Sequence, residues 1–152
     1  MYKRQVGRSD GDFDNGQGEL ADAAAALDWL ERENLDNSQC WISGFSFGAL
    51  LCMQLIMRRP EVNNFIAVSP QPNVYDFSFL APCPTSGQII YSDNDELVSK
   101  ESITELDNRI KSQKGVEVIF SKIKNSNHFF KSKEQELKEA IQNYLKEKTA
   151  LI

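Results

Sequence analysis

The pentapeptide Gly-Phe-Ser-Phe-Gly at residues 44–48 lies between two mainly apolar stretches, residues 40–42 before it and residues 49–57 after it. This pattern predicts a strand, a sharp turn and a helix, with Ser46 at the apex of the turn. Glycine is needed on both sides of the serine, because a Cβ at either position would clash with neighbouring backbone in so tight a turn. We therefore interpret the motif as a nucleophile elbow, which exposes a serine hydroxyl at the end of a buried strand.

An acid and a base follow the serine at spacings that suit the same chemistry. Asp95 comes shortly after the apolar stretch 88–91, and His128 is the one histidine in the sequence. The order serine, acid, histidine is that of α/β-hydrolases and differs from the orders in chymotrypsin and subtilisin. The gaps of 49 residues (95 − 46) and 33 residues (128 − 95) each have room for one or two strand–helix units. The spacing predicts a triad of Ser46, His128 and Asp95.

Each of these residues also has a simpler interpretation. Ser46 could cap a helix, but an N-cap alone does not require glycine on both sides. A single histidine is often an ordinary surface or core residue, whereas His128 follows a predicted strand and precedes a predicted helix, where the general base of this fold belongs. Asp95 shares an acidic turn with Asp93 and Glu96. We favour Asp95 because the two apolar residues after that turn can anchor the loop behind it.

The rest of the chain alternates between helical and extended patterns. Helices are predicted at 19–33, 47–59 and 99–114, with a last one beginning at a Ser132 cap, and strands at 39–43, 64–68, 87–91 and 116–120. Residues 69–84 hold four of the five prolines and predict an irregular excursion over the strand ends. The alternation predicts an α/β fold with a parallel sheet of about four strands in chain order, flanked by helices. Crossovers on alternating faces are expected to place successive strands side by side.

The composition indicates one domain, residues 1–152, with 41% hydrophobic residues for a single core. The net charge of −5 without a basic cluster argues against nucleic acid and anionic membranes as partners. No apolar run is long enough to span a membrane. Cysteines number three, and Cys40 and Cys52 fall in segments predicted to be buried, so reduced thiols in a cytoplasmic protein are expected. Neither a metal nor an organic cofactor is expected.

Several short blocks resemble those of small bacterial α/β-hydrolases related to dienelactone hydrolases and short prolyl-oligopeptidase-like esterases. The blocks are residues 6–11 (VGRSDG), 25–30 (AALDWL), 44–49 (GFSFGA), 75–80 (YDFSFL) with 82–84 (PCP), and 128–130 (HFF). The resemblance covers nearly everything from Val6 onward. It implies that Ser46 is the nucleophile, Asp95 the acid and His128 the base, which agrees with the interpretation of the residues themselves.

The resemblance fails at the start of the chain. In that family the glycine loop matching residues 7–11 follows the fourth strand, and an earlier loop supplies one of the two N–H donors of the oxyanion hole. We therefore expect an N-terminally truncated or artificially joined chain, without the first strands and that loop. The backbone N–H of Phe47 is the expected remaining donor, so activity should be weak. The strand before the elbow would be an exposed apolar edge, through which copies are expected to self-associate.

Together these patterns predict a serine hydrolase that acts on a small-molecule carboxylic ester or thioester through an acyl-enzyme. Phe45, Tyr75 and Phe77 are candidate substrate-binding residues, although the aromatic stretch 75–79 could equally roof the core. An alternative from a different class is a catalytically inactive fragment or interaction module that keeps the hydrolase fold. A dienelactone hydrolase with a cysteine nucleophile is disfavoured because the apex residue is Ser46.

Overall fold

The structure is a computed structural model that describes residues 8–35, 39–80 and 82–150. Helices and strands alternate along these residues. Their bounds are α1 Gln17–Glu33, β1 Trp41–Phe45, α2 Phe47–Ile56, β2 Asn64–Val68, β3 Ser86–Ser92, α3 Lys100–Lys111, β4 Val118–Ile123 and α4 Glu134–Thr149, with a 3-10 turn at Ser78–Leu80. The alternation confirms the predicted α/β fold.

The strands form one parallel sheet in the order β1-β2-β3-β4, which confirms the predicted arrangement. The last residues of β1 and β2 are in register, with Phe45 opposite Val68, and Val68 lies opposite Ile90, two residues before the end of β3. Because parallel strands point the same way, their carboxyl ends lie at one edge of the sheet, where ligands of open α/β sheets bind. The loops that carry the predicted site residues all leave from this edge.

Helices cover both faces of the sheet, which explains why its strands are apolar at successive positions. In β2, Phe65 and Ala67 pack into one core with residues of α1, α2 and α3, whereas Ile66 and Val68 pack into a second core with residues of α4. The expectation of crossovers on alternating faces is wrong, because α2 and α3 belong to the same core. Right-handed crossovers on a single face move each new strand in the same direction, whereas a change of face reverses it.

Most of the helix and strand boundaries differ from the predicted ones by one to three residues. Helix α2 ends at Ile56 rather than at position 59. Helix α4 has Lys133 as its N-cap, not Ser132; Ser132 takes a left-handed φ of 61° rather than the β-region conformation that is typical of an N-cap. Strand β4 begins at Val118 because its pairing with β3 begins there, opposite Gly87.

In the described part of the chain, β1 lies at one end of the sheet and pairs with β2 alone. Beside it, α1, β1 and α2 surround an open hollow of about 250 Å³. Its lining includes Leu27 and Leu30 of α1, Trp41 of β1 and Leu55 of α2. Residues 1–6, which together with water and a partner chain are the candidates for pairing with this edge, lie outside the described residues. Association of copies through the edge stays a prediction.

Candidate active site

Ser46 occupies the sharp turn between β1 and α2. Its backbone has φ 54° and ψ −116°, a conformation that a non-glycine residue rarely takes and that costs about 1–3 kcal/mol. The N–H of Ser46 donates to the carbonyl of Val68 at 2.8 Å, and the N–H of Ala49 donates to the carbonyl of Ser46 at 2.9 Å. The turn is therefore tied to the neighbouring strand and to the first turn of α2, as an elbow requires.

Gly44 permits this turn because there is no room for a side chain at its position. A Cβ on Gly44 would lie 1.9 Å from the carbonyl oxygen of Gly48. We expect Gly44→Ala to lower the free energy of unfolding by about 3 kcal/mol or more, since backbone of the turn must move to admit the methyl group. The corresponding fall in Tm is about 10 °C, measured by thermal unfolding followed by circular dichroism.

Gly115→Ala is the matched control for that substitution. Gly115 also has a positive φ, 95°, but a Cβ there would meet nothing within 4 Å. Its replacement should cost only the backbone penalty of a left-handed residue, about 1–2 kcal/mol. Equal losses of stability for the two variants would contradict a steric role for Gly44.

The structure brings Ser46, His128 and Asp95 into one hydrogen-bonded chain. His128 Nε2 lies 2.9 Å from Ser46 Oγ, and His128 Nδ1 lies 2.8 Å from Asp95 Oδ2 and 3.0 Å from Oδ1. The side chains of His128 and Asp95 are only 1% and 5% exposed. Because Nδ1 faces a carboxylate, which accepts only, Nδ1 carries the ring proton and Nε2 is free to accept the serine proton.

The structure also distinguishes the three carboxylates of the acidic turn. Asp95 contacts the imidazole and accepts the N–H groups of two residues behind it, Leu97 at 2.8 Å and Val98 at 3.1 Å. Asp93 instead accepts the N–H of Asn125 at 2.7 Å. Glu96 accepts the backbone N–H of His128 at 3.0 Å, and this hydrogen bond lowers the pKa of the Glu96 carboxyl. The backbone N–H groups of residues 97 and 98 thus hold the Asp95 carboxylate in place.

Further hydrogen bonds hold the histidine loop, residues 124–130. The hydroxyl of Ser69, just after β2, donates to the carbonyl of His128 at 3.1 Å. The hydroxyl of Ser92, at the end of β3, donates to the carbonyl of Ser126. Sequence reasoning missed these supporting residues, because each acts on a loop more than thirty positions away. The one feature of the sequence that could have indicated them is a serine at or just after the carboxyl end of a strand.

Aromatic rings lie on two sides of the elbow. The Phe45 ring is 5.4 Å from the imidazole of His128 and 6.0 Å from the ring of Phe129, which is 63% exposed. The Phe47 ring lies 5.4 Å from Phe13 and 5.9 Å from Tyr75. Phe45 and Tyr75, both named from the sequence, are therefore beside residues of the site, whereas Phe13 and Phe129 were not foreseen.

Phe77, the third candidate substrate-binding residue, has a different environment. It is only 2% exposed, belongs to the core that contains α2, and stacks on Phe79 with ring centroids 5.9 Å apart. This placement suits the alternative in which the aromatic stretch covers the core.

The amide of Gln71 is a further neighbour of the Ser46 hydroxyl. Ser46 Oγ lies 3.3 Å from Gln71 Oε1, across 25 positions of sequence. The sequence offered only the weak signal of a polar residue soon after the carboxyl end of β2. Within the described residues, no group of three or more histidine, cysteine, aspartate or glutamate side chains is arranged to hold a metal ion.

The parallel sheet, the elbow and the hydrogen-bonded residues at its edge define the class of α/β serine hydrolases. The family model of the X-Pro dipeptidyl-peptidases (S15 family) matches residues 3–149, and the chain belongs to this family. Among curated proteins, the uncharacterized protein RP471 of Rickettsia prowazekii (strain Madrid E) is 49% identical over 146 residues. That match covers 93% of this chain and 61% of the relative, so the chain spans less than two thirds of the length of that protein.

Solved structures agree with this assignment. ATU1826 of Agrobacterium tumefaciens, described as an alpha/beta hydrolase of unknown function, is 47% identical with a TM-score of 0.94, over 97% of this chain and 67% of that one. An alpha-beta serine hydrolase homologue from Coxiella burnetii is 30% identical with a TM-score of 0.79, over 93% and 65% of the two chains. XC6422 of Xanthomonas campestris, described as an a/b serine hydrolase without lid, is 27% identical with a TM-score of 0.83, over 95% and 63%.

Proposed function

We propose that the chain carries the catalytic triad of a serine hydrolase that cleaves carboxylic esters or thioesters of small molecules. The observation that carries the proposal is the continuous hydrogen-bonded chain from Asp95 through His128 to Ser46, with its acid and base almost fully buried. Burial keeps water from competing for these hydrogen bonds, and the carboxylate holds the imidazole in the tautomer that can accept a proton.

In the proposed mechanism, Ser46 Oγ attacks the substrate carbonyl carbon while His128 Nε2 takes the serine proton. Asp95 stabilises the imidazolium that forms. His128 then gives the proton to the departing alcohol or thiol, which leaves an acyl group on Ser46. Water activated by His128 hydrolyses the acyl-enzyme and restores the free serine. Each step uses the same Nε2, which lies 2.9 Å from Oγ.

We assign the backbone N–H of Phe47 to the oxyanion hole. Phe47 is the first residue of α2, and the N–H groups of a helix's first turn have no partner within the helix. The partial positive charge at a helix N-terminus also favours a developing oxyanion. Loss of one oxyanion donor typically costs about 10²–10³ in rate, so the second donor decides how fast the chain can work.

Phe45 and Tyr75 are the substrate-binding residues that we propose. Phe45 touches the imidazole of His128, and Tyr75 touches Phe47 beside the nucleophile. Their rings would pack against apolar parts of an acyl or alcohol group. Phe77 has no part in this proposal, since it is buried in the core.

A fluorophosphonate probe, which reacts with activated serines, tests the proposal. The purified chain should be labelled at Ser46 and nowhere else, as located by mass spectrometry, because among the described residues only that hydroxyl is hydrogen-bonded to the imidazole. Labelling should disappear in His128→Ala. A chain that unfolds cooperatively yet remains unlabelled would favour the inactive interaction module instead.

The family description names a second substrate class, X-Pro peptides. The assay should therefore compare p-nitrophenyl acetate, an acetyl thioester and an X-Pro p-nitroanilide at equal concentrations. Hydrolysis of the ester and thioester, with the anilide intact, supports the proposed substrate class. Cleavage of the anilide alone would replace it with peptidase activity.

We also propose that the protein works in a reducing compartment such as the cytoplasm. The three cysteines, Cys40, Cys52 and Cys83, carry free thiols, and burial raises the pKa of each thiol. Unpaired buried thiols are typical of proteins that fold where disulfides do not form. Among the described helices, none combines the length and the apolar character that crossing a bilayer requires.

A further inference from the structure

Gln71 contacts the Ser46 hydroxyl but has no part in the proposed triad. Each of the four strands is followed by a loop or turn that contributes one side chain to the site around Ser46. In chain order these side chains are Ser46, Gln71, Asp95 and His128. Three of the four have a role in the mechanism above. The side chain after β2 is the remaining one, and its amide lies against the reacting oxygen itself.

The backbone holds Gln71 in this position. Its carbonyl accepts the N–H groups of Val74 and Tyr75, both at 3.0 Å, which closes a turn directly after it. On its other side, the N–H of Ser69 donates to the carbonyl of Ile90 at 2.8 Å. The backbone on both sides of Gln71 is therefore held by hydrogen bonds, which fixes the point from which its side chain extends toward Ser46.

In the free protein, Gln71 competes with the histidine for one proton. The Ser46 hydroxyl has a single hydrogen and two acceptors within reach, His128 Nε2 at 2.9 Å and Gln71 Oε1 at 3.3 Å. The shorter distance favours the histidine. After acylation, Oγ is an ester oxygen without a hydrogen, so an amide oxygen facing it would place two acceptors against each other.

We infer that Gln71 is a catalytic residue of deacylation, whose amide Nε2–H donates to Ser46 Oγ in the acyl-enzyme; the inference rests on the proposed function. The terminal torsion of a glutamine is broad, so the amide can turn and present its N–H groups where Oε1 stood. A donor at this place stabilises the negative charge that Oγ gains as it leaves.

The step that Gln71 assists is the release of the serine. Water adds to the acyl carbon and gives one proton to His128 Nε2, which forms a tetrahedral intermediate. The bond between that carbon and Oγ then breaks, and its electron pair goes to Oγ. His128 Nε2 returns the proton to Oγ, so a carboxylic acid and the free Ser46 hydroxyl are formed. The Gln71 hydrogen bond to Oγ strengthens while that bond breaks.

Pre-steady-state hydrolysis of p-nitrophenyl acetate separates the two chemical steps. The burst of p-nitrophenol reports acylation, and the following steady rate reports deacylation. Gln71→Met keeps the length of the side chain but has no N–H donor. We expect it to slow deacylation about tenfold, the value of a hydrogen bond to a charged group, and to change acylation less than about threefold.

Gln71→Glu shows whether the side chain at position 71 acts as a hydrogen-bond donor or as an acceptor toward Ser46 Oγ. It also replaces Gln71→Met as the test if the methionine variant does not fold. It keeps an oxygen beside Oγ but supplies no N–H group at neutral pH, so deacylation should be slowed at least as much as in Gln71→Met. The control is Gln135→Met on the exposed side of α4, where the glutamine contacts Glu139 far from the site.

Three outcomes would overturn the inference. The first is unchanged deacylation in a folded Gln71→Met. The second is an equal loss in both steps, which indicates a structural role. The third is wild-type deacylation in Gln71→Glu, which indicates an acceptor role. If the fluorophosphonate does not label the wild-type chain at Ser46, both the proposed function and this inference fail. If the wild type is labelled and any of the three outcomes is observed, the inference fails but the proposed function stands.

Discussion

Ser46→Ala is expected to lower kcat for p-nitrophenyl acetate by about 10⁵–10⁶-fold, because it removes the nucleophile of a triad whose members act as a unit. The hydroxyl is the only group on the elbow that can form the acyl-enzyme in the proposed mechanism. The residual rate should be that of water attack assisted by binding alone. Initial rates at saturating ester, with the uncatalysed rate subtracted, measure the effect.

The matched control is Ser43→Ala, three residues earlier and exposed on β1. Both substitutions remove one hydroxyl from the same segment, so a general effect on folding would appear in both. We expect Ser43→Ala to retain the wild-type rate within about twofold, since an exposed serine away from special features contributes little to stability. A Ser46→Ala variant with more than a tenth of the wild-type activity would remove Ser46 from the mechanism.

Asp95→Asn is expected to lower kcat about 10⁴-fold without unfolding the chain. The amide keeps the shape of the carboxylate, but its N–H₂ group can donate to His128 Nδ1 and so favour the tautomer with the proton on Nε2. In that tautomer the imidazole cannot accept the proton of Ser46. The steady-state rate and the thermal unfolding of the same preparation separate catalysis from stability.

Asp93→Asn and Glu96→Gln are the controls, because all three carboxylates belong to one turn. Asp93 and Glu96 accept backbone N–H groups of the histidine loop and do not reach the imidazole nitrogens. An amide oxygen can still accept such a hydrogen bond, so each control should lose less than about tenfold in rate. A larger loss in Asp93→Asn than in Asp95→Asn would reassign the acid of the triad.

Much of the fold followed from local pattern. The elbow glycines and the apolar stretch on each side are properties of neighbouring residues, and with the order serine, acid, histidine they singled out three residues that the structure brings within hydrogen-bond distance. The strand β2 was predicted with its observed bounds, Asn64–Val68. Such a strand is easy to predict because it is buried on both faces and therefore apolar at almost every position.

Other features depend on contacts between distant residues. The local sequence favoured Asp95 over Asp93 and Glu96, but the contact itself depends on which carboxylate faces a ring that lies 33 residues away in sequence. Phe77 and Tyr75 share one aromatic stretch, yet one is buried in the core and the other lies beside Phe47. The composition of that stretch is the same for either arrangement, so only packing distinguishes them.

The sequence by itself determined the class of fold, the elbow and the candidates Ser46 and His128, because short-range sterics and apolar periodicity act within a few residues. It also favoured Asp95, but the tertiary structure decided which carboxylate meets the imidazole, on which face the crossovers run, and that Gln71 reaches Ser46. Those outcomes depend on how four strand ends converge at one edge of the sheet. Such distances between residues far apart in the chain are set by the packing of the whole sheet and its helices, to which every element contributes.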